Sequence, residues 1–185
     1  MTIPNFITVL RLLLVPLIIY AMMSNAWGWA FAGFLAAGIS DGVDGFIARQ
    51  FDQHSELGAY LDPLADKLLL VSVFVVLGYT QELPLWLVIA AVSRDALIVG
   101  AVLLSTVLGN PVPMRPLFVS KANTAAQITL AALVLAELAF SAGPSVLRDA
   151  LIIVCALLTA ASAAAYLVNW MRHMSGNGEG KDIGA

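Results

Sequence analysis

Apolar residues fill the 185-residue chain in long stretches that break at a few short polar points. Residues 12–40 carry no charge, yet Ser24-Asn25-Ala26 splits them into two segments, each long enough for one helix. A helix that crosses a bilayer needs roughly 20 mostly apolar residues at about 1.5 Å rise each. By that measure the pattern predicts six spans, over about 4–23, 27–48, 57–79, 84–108, 120–140 and 146–172. Asn110-Pro111-Val112-Pro113, with Pro116, predicts a non-helical connection between the fourth and fifth spans, because proline has no N–H to donate and crowds the preceding turn. Gly143-Pro144-Ser145 separates the fifth from the sixth. Helical runs of this length, in place of alternating ten-residue segments, argue against a β-barrel. The stretch Ser175-Gly176-Asn177-Gly178-Glu179-Gly180 is too glycine-rich to hold a helix. The expected division is therefore a membrane domain over 1–174 and a flexible cytoplasmic tail over 175–185.

Composition narrows the class. Hydrophobic residues make up 61% and charged residues 11%, with a mean hydropathy of +0.91, against about 25% charge in an ordinary soluble domain. That leaves too little polar surface for a water-soluble enzyme and too much apolar surface for disorder. Nine Lys and Arg against twelve Asp and Glu, with a pI near 5.2, argue against nucleic acid as a partner. The fold expected is all-α, an integral membrane protein with six transmembrane helices. Lys and Arg are absent from the connections near 24–26 and 80–83, but occur at Arg49, Arg115, Lys121, Arg172 and Lys181. The positive-inside rule then places both termini in the cytoplasm. Tyr20, Trp27, Trp29, Tyr79 and Trp86 fall at the opposite boundary, as an aromatic belt does. Met1 to Asn5 lacks a basic n-region and no A-x-A site follows, so the first span is expected to be retained. The expected location is the bacterial inner membrane. The single cysteine, Cys155, cannot form an intrachain disulfide.

The charges are unevenly placed. Residues 41–67 hold six acids and two bases, a net of −4, while the rest of the chain sums to +1. Asp41 and Asp44 are three apart near the inner end of the second span, and Asp62 and Asp66 are four apart near the inner start of the third. Those spacings put each pair on one helix face. The short connection between the two spans makes them expected antiparallel neighbours, with both pairs at similar depth. Four converging carboxylates repel one another by several kcal/mol unless cations are present. Hard divalent ions with oxygen ligands suit them, and four Asp suit two Mg²⁺ or Mn²⁺ ions serving an in-line phosphoryl displacement. Gly42, Gly45 and Gly58 lie beside or one turn from the acids. Glycine costs a helix about 1 kcal/mol against alanine, so its use here points to close approach of a helix or ligand. Arg49, on the same inner rim, can grip phosphate bidentately.

Asp41-Gly42-Val43-Asp44-Gly45-Phe46-Ile47-Ala48-Arg49, followed after eight residues by Gly58, after three by Asp62 and after three more by Asp66, resembles the signature of the CDP-alcohol phosphotransferase (phosphatidyltransferase) family at all eight defining positions. The likeness extends to Pro4-Asn5-x-x-Thr8-x-x-Arg11 and to the six spans. It implies that Asp41, Asp44 and Asp62 ligate divalent metal, with Asp66 completing the second site or accepting the acceptor's proton. It implies that Gly45, Ala48 and Gly58 leave room for cytidine, and that Arg49 and Asn5 hold the diphosphate of CDP-diacylglycerol. The implied reaction is attack by an alcohol on the lipid-side phosphorus with release of CMP, by a homodimer. Ser93-Arg94-Asp95 and Ser120-Lys121-Ala122-Asn123-Thr124-Ala125-Ala126-Gln127 resemble the CMP-forming cardiolipin synthases of this family, which use phosphatidylglycerol. Phosphatidylglycerophosphate synthases, which use glycerol 3-phosphate, more often have Arg-Glu at the position of Arg94-Asp95. Arg94, Arg115 and Lys121 are the candidate acceptor contacts and suit either substrate.

Other charged positions have plainer readings. Arg11 either snorkels toward the inner headgroups or touches substrate. Arg94, ten residues into its span, sits where a charge is expensive and usually functional, and Asp95 is expected to point elsewhere on the helix, so that the two do not make a self-contained salt bridge. Lys67 contacts phosphate or pairs structurally. Asp52, His54 and Glu56 read as solvated loop residues, and Glu137, Arg148 and Asp149 as outer-interface residues away from the chemistry. A divalent-metal transporter or channel also holds intramembrane acids. Its sites usually lie near the midplane at broken helices, whereas these acids gather at one face.

Overall fold

The computed structural model describes residues 3–51, 56–107 and 118–174, with side chains described over 10–40, 65, 67–100, 118–168 and 171. All described secondary structure is helical: α1 (Ile3–Met23), α2 (Trp27–Phe51), α3 (Glu56–Tyr79), α4 (Leu85–Val107), α5 (Phe118–Ala139) and α6 (Val146–Met174). Each coincides with one predicted helix to within three residues at either end. Two stretches, Phe118–Ala139 and Val146–Val168, are long and apolar enough among the described residues to cross a membrane. The loop readings for Asp52 and His54, the proline-rich connection before Pro116 and the tail over 175–185 lie outside the described residues, whereas Glu56, also read as a loop residue, is the first residue of α3.

Three helical hairpins share one turn geometry. After α1, α3 and α5 the chain passes through a left-handed residue, Asn25 (φ 56°), Gln81 (φ 63°) and Ser141 (φ 53°). At each, the next N–H reaches back five residues: Ala26 to Ala21 O at 2.8 Å, Glu82 to Leu77 O at 2.8 Å and Ala142 to Glu137 O at 2.8 Å. This is the Schellman arrangement, which satisfies carbonyls that the helix end leaves open. The fifth helix therefore stops at the Ser141 turn, and Gly143-Pro144-Ser145 serves the start of α6. There the Ser145 hydroxyl accepts from the Arg148 N–H at 3.2 Å, as an N-cap does.

The buried core runs through the bundle from Val15, Ile18 and Met22 of α1 and Ala30, Phe34 and Ala37 of α2 to Leu70, Val73, Phe74 and Leu77 of α3, with Leu87, Leu130, Val134 and Cys155 from the remaining helices. Close approach is made at glycine. A Cβ on Gly33 would stand 2.9 Å from Ile18 Cγ1, seating α2 on α1, and one on Gly78 would stand 2.9 Å from Val88 Cγ2, seating α3 on α4. Among the described residues α2 and α3 each pack on α1 and on α5. The small face of α2 (Ala30, Gly33, Ala37) admits α1. The expected contact between the inner ends of α2 and α3 falls on residues whose side chains lie outside those described.

The outward surface is apolar, with Leu13, Leu17, Ile39, Leu97, Ile153 and Leu157 exposed. Tyr20, Trp29, Tyr79 and Trp86 are exposed near the first two hairpin turns, as expected of a belt, while Trp27 is partly buried against the core. At the same end Arg148 lies between two carboxylates, 3.5 Å from Glu137 Oε2 and 3.3 Å from Glu82 Oε2. Glu137 Oε1 also accepts from the Ser145 hydroxyl at 2.5 Å.

Candidate active site

The four signature acids lie on two helices that run in opposite directions from hairpin turns at the same end of the bundle. Counted at about 1.5 Å per residue from those turns, Asp41 and Asp66 lie about 20 Å along their helices and Asp44 and Asp62 about 25 Å. Each pair occupies one helix face by its spacing, and each acid of α2 has a counterpart at similar depth on α3. Both helices pack on α1 and on α5 among the described residues. The side chains of Asp41, Asp44, Asp62 and Asp66, and those of Asn5, Gly45, Ala48, Arg49 and Gly58, lie outside the described residues. So does the whole of Arg115. As a donor set, four carboxylates offer only hard oxygen ligands, the chemistry that fits Mg²⁺ or Mn²⁺.

A second polar group is built next to the acids, one residue beyond Asp66. Lys67 of α3 donates to Asp95 Oδ2 at 2.6 Å. Arg94 Nη1 donates to Asp95 Oδ1 at 2.6 Å. The remaining Arg94 donors reach two other helices: Nε lies 3.0 Å from Ser162 Oγ, and Nη2 contacts both Ser162 Oγ and, at 2.5 Å, Ser120 Oγ. The guanidinium carbon lies 5.8 Å from the Tyr166 ring centroid, in range for a cation–π contact. One arginine thus ties α4 to α5 and α6, and one carboxylate carries the tie to α3.

These contacts correct the expectation that Arg94 and Asp95 point apart. Successive helical positions differ by about 100°, but the long arginine stem curls back far enough to meet its neighbour. Both residues are buried, Arg94 at 3% exposure. A charge in that position is stabilised only if paired and hydrogen-bonded, and the pairing meets this condition. Of the two readings for Lys67, structural pairing is the one observed. Arg11 is 1% exposed inside the bundle, so its side chain does not lie along the outer surface toward headgroups. Lys121 is exposed at the start of α5. The polar residues that follow it turn inward: Asn123 and Gln127 are buried, and Asn123 Oδ1 accepts from Thr159 at 2.9 Å. Ser162 and Tyr166 were not singled out from the sequence. The available signal is the spacing Thr159, Ser162, Tyr166 in an otherwise alanine-rich run, which places three polar groups on one face of α6.

A family model of CDP-alcohol phosphatidyltransferases matches residues 1–171. The chain belongs to the CDP-alcohol phosphatidyltransferase family. It is 36% identical over 181 residues to a human protein named cardiolipin synthase (CMP-forming), covering 89% of this chain and 60% of the human protein. A Streptomyces coelicolor protein of the same name is 36% identical over 130 residues, covering 67% of this chain and 60% of that protein. A Mycobacterium tuberculosis protein named putative cardiolipin synthase is 44% identical over 101 residues, covering 54% of this chain and 48% of that protein. The chain therefore spans about 60% of the length of the human relative it matches.

Proposed function

We propose that this protein is a phospholipid-synthesising transferase that moves the phosphatidyl group of CDP-diacylglycerol to phosphatidylglycerol, forming cardiolipin and releasing CMP. The observation that carries the reading is the complete eight-residue signature on α2 and α3 of a chain whose relatives bear the name cardiolipin synthase over 89% of its length. In this reading the acceptor hydroxyl attacks the lipid-side phosphorus. The new P–O bond forms as the bond to the CMP oxygen breaks, and the acceptor's proton passes to Asp66. CMP is a competent leaving group once its charge is neutralised, so the demands on the protein are positioning and one base. Asp41, Asp44, Asp62 and Asp66 would hold two divalent ions, Mg²⁺ or Mn²⁺, which supply that neutralising charge. Arg49 and Asn5 grip the diphosphate, and Gly45, Ala48 and Gly58 leave space for cytidine. Arg115 and the exposed Lys121 approach the acceptor's phosphate, backed by the buried Arg94.

The proposed setting is an inner (cell) membrane, with six spans, both termini and the acids on the cytoplasmic side, and two copies forming a dimer. Helices of 21 to 29 residues support six crossings. The orientation rests on the positions of Lys and Arg, which gather away from the hairpin-turn end except for Arg148, held there between Glu82 and Glu137. The division into a domain over 1–174 and a tail over 175–185 belongs to the same proposal.

Purified protein with CDP-diacylglycerol and Mn²⁺, offered phosphatidylglycerol or glycerol 3-phosphate separately, tests the reaction. Cardiolipin and CMP are expected with the first acceptor, and EDTA should stop both. Product from glycerol 3-phosphate alone would reassign the acceptor. Asp62→Asn should fold, insert and release no CMP; near-normal release would remove the acids from the mechanism.

A further inference from the structure

Resting on that proposed transfer, we infer that Asp95 and Lys67 form a positioning pair, anchored by Arg94, that sets the rotation of α3 and with it the face bearing Asp62 and Asp66. Lys67 follows Asp66 directly, about 100° around the same helix. A helix that is apolar on most of its circumference has weak preferences for rotation about its axis, since one apolar face packs nearly as well as another. A charge pair removes that freedom. The Lys67 ammonium meets Asp95 Oδ2 at 2.6 Å, and Asp95 is itself held at Oδ1 by Arg94 at 2.6 Å. Arg94 is fixed in turn by Ser120 of α5 and Ser162 of α6. The chain of contacts therefore runs from α5 and α6 through α4 to the residue next to Asp66.

The geometry also separates this role from substrate binding. Arg94 is buried, and each of its three nitrogens already contacts a protein oxygen. Asp95, with a side chain 11% exposed, has both oxygens engaged. Lys67 is the open end of the chain, with 38% of its side chain exposed, yet its ammonium is drawn toward α4. The trio carries two positive charges against one negative, so its excess positive charge lies one residue from the acid quartet. That is a second reason for the pair to stand where it does.

Lys67→Gln, Lys67→Arg and Asp95→Asn in the full chain test the inference by steady-state CMP release. Displacing a reacting group by about 1 Å costs up to about 100-fold in rate. Lys67→Gln should therefore lower kcat by about 10-fold or more, while the KM values for both lipids change by less than about threefold, the signature of an interaction that acts in the transition state alone. Lys67→Arg keeps the charge and the partner and should recover most of the loss. A raised KM with unchanged kcat would make Lys67 a substrate ligand, and unchanged constants would give it no part; either overturns the inference. A readout independent of turnover is labelling of lysines by an amine-reactive reagent, followed by mass spectrometry. Lys67 should react several-fold more slowly than the exposed Lys121, and Asp95→Asn should remove the difference. Equal labelling of Lys67 and Lys121 in the unaltered protein would overturn the pairing whether or not the assay yields CMP. Absence of CMP from the unaltered protein with every acceptor would instead sink the proposed reaction, and leaves the labelling result readable.

Discussion

At the scale of single residues, Arg94 shows how a charge buried in an apolar helical bundle is made tolerable. Its donors meet a carboxylate and two hydroxyls from three helices, and a tyrosine ring lies within cation–π range. Removing one partner of a buried pair leaves the other uncompensated, at a cost of about 3–5 kcal/mol. Arg94→Ala is expected to lose about that much stability in detergent unfolding, partly softened because Asp95 keeps Lys67. Arg94→Lys should recover less than half, because a point-like ammonium cannot span Asp95, Ser120 and Ser162 together. Unfolding of Arg94→Ala within the error of the unaltered protein would show that the network adds no stability. None of this was legible from Ser93-Arg94-Asp95 alone. The sequence marks Arg94 as expensive; its partners sit 26 and 68 positions away.

The helices and their turns were far more legible. Charge-free apolar runs, Ser24-Asn25-Ala26, and Gly143-Pro144-Ser145 locate the breaks because backbone groups must be satisfied within each helix and its cap. The turn geometry was not legible, since glycine is the residue that usually takes the left-handed position and here Asn25, Gln81 and Ser141 take it. Asparagine tolerates that conformation, whereas a glutamine or serine pays roughly 1 kcal/mol for it. Gln81→Gly and Ser141→Gly should each raise stability by about 1 kcal/mol, and Asn25→Gly by less. Measured unfolding midpoints in one detergent decide this; a loss of stability in both variants would mean that the side chains contribute more than the backbone strain.

At the scale of the whole molecule, the three hairpin turns gather at one end and the signature acids lie toward the other. This arrangement makes orientation testable with single cysteines, because the native Cys155 is fully buried. Ser24→Cys and Ser141→Cys should react with an impermeant maleimide added outside intact cells, and Gln53→Cys only after the membrane is opened. The reverse pattern would turn the protein over and put the acids outside.

The sequence by itself determined the number and limits of the helices, because the need to bury apolar side chains and satisfy backbone groups is written locally, residue by residue. It also determined the family, since the eight signature residues lie on two consecutive helices and their spacing survives in one dimension. Only the tertiary structure decided which helices are neighbours, that Arg94 and Asp95 pair, and that Lys67, Ser120, Ser162 and Tyr166 join them. Helices that are apolar around most of their circumference carry little periodic signal to say which face turns inward. Rotation and neighbour are then chosen by a few long-range polar contacts and close approaches, such as Lys67 to Asp95 at 2.6 Å and Gly78 against Val88, which exist only once the bundle has assembled.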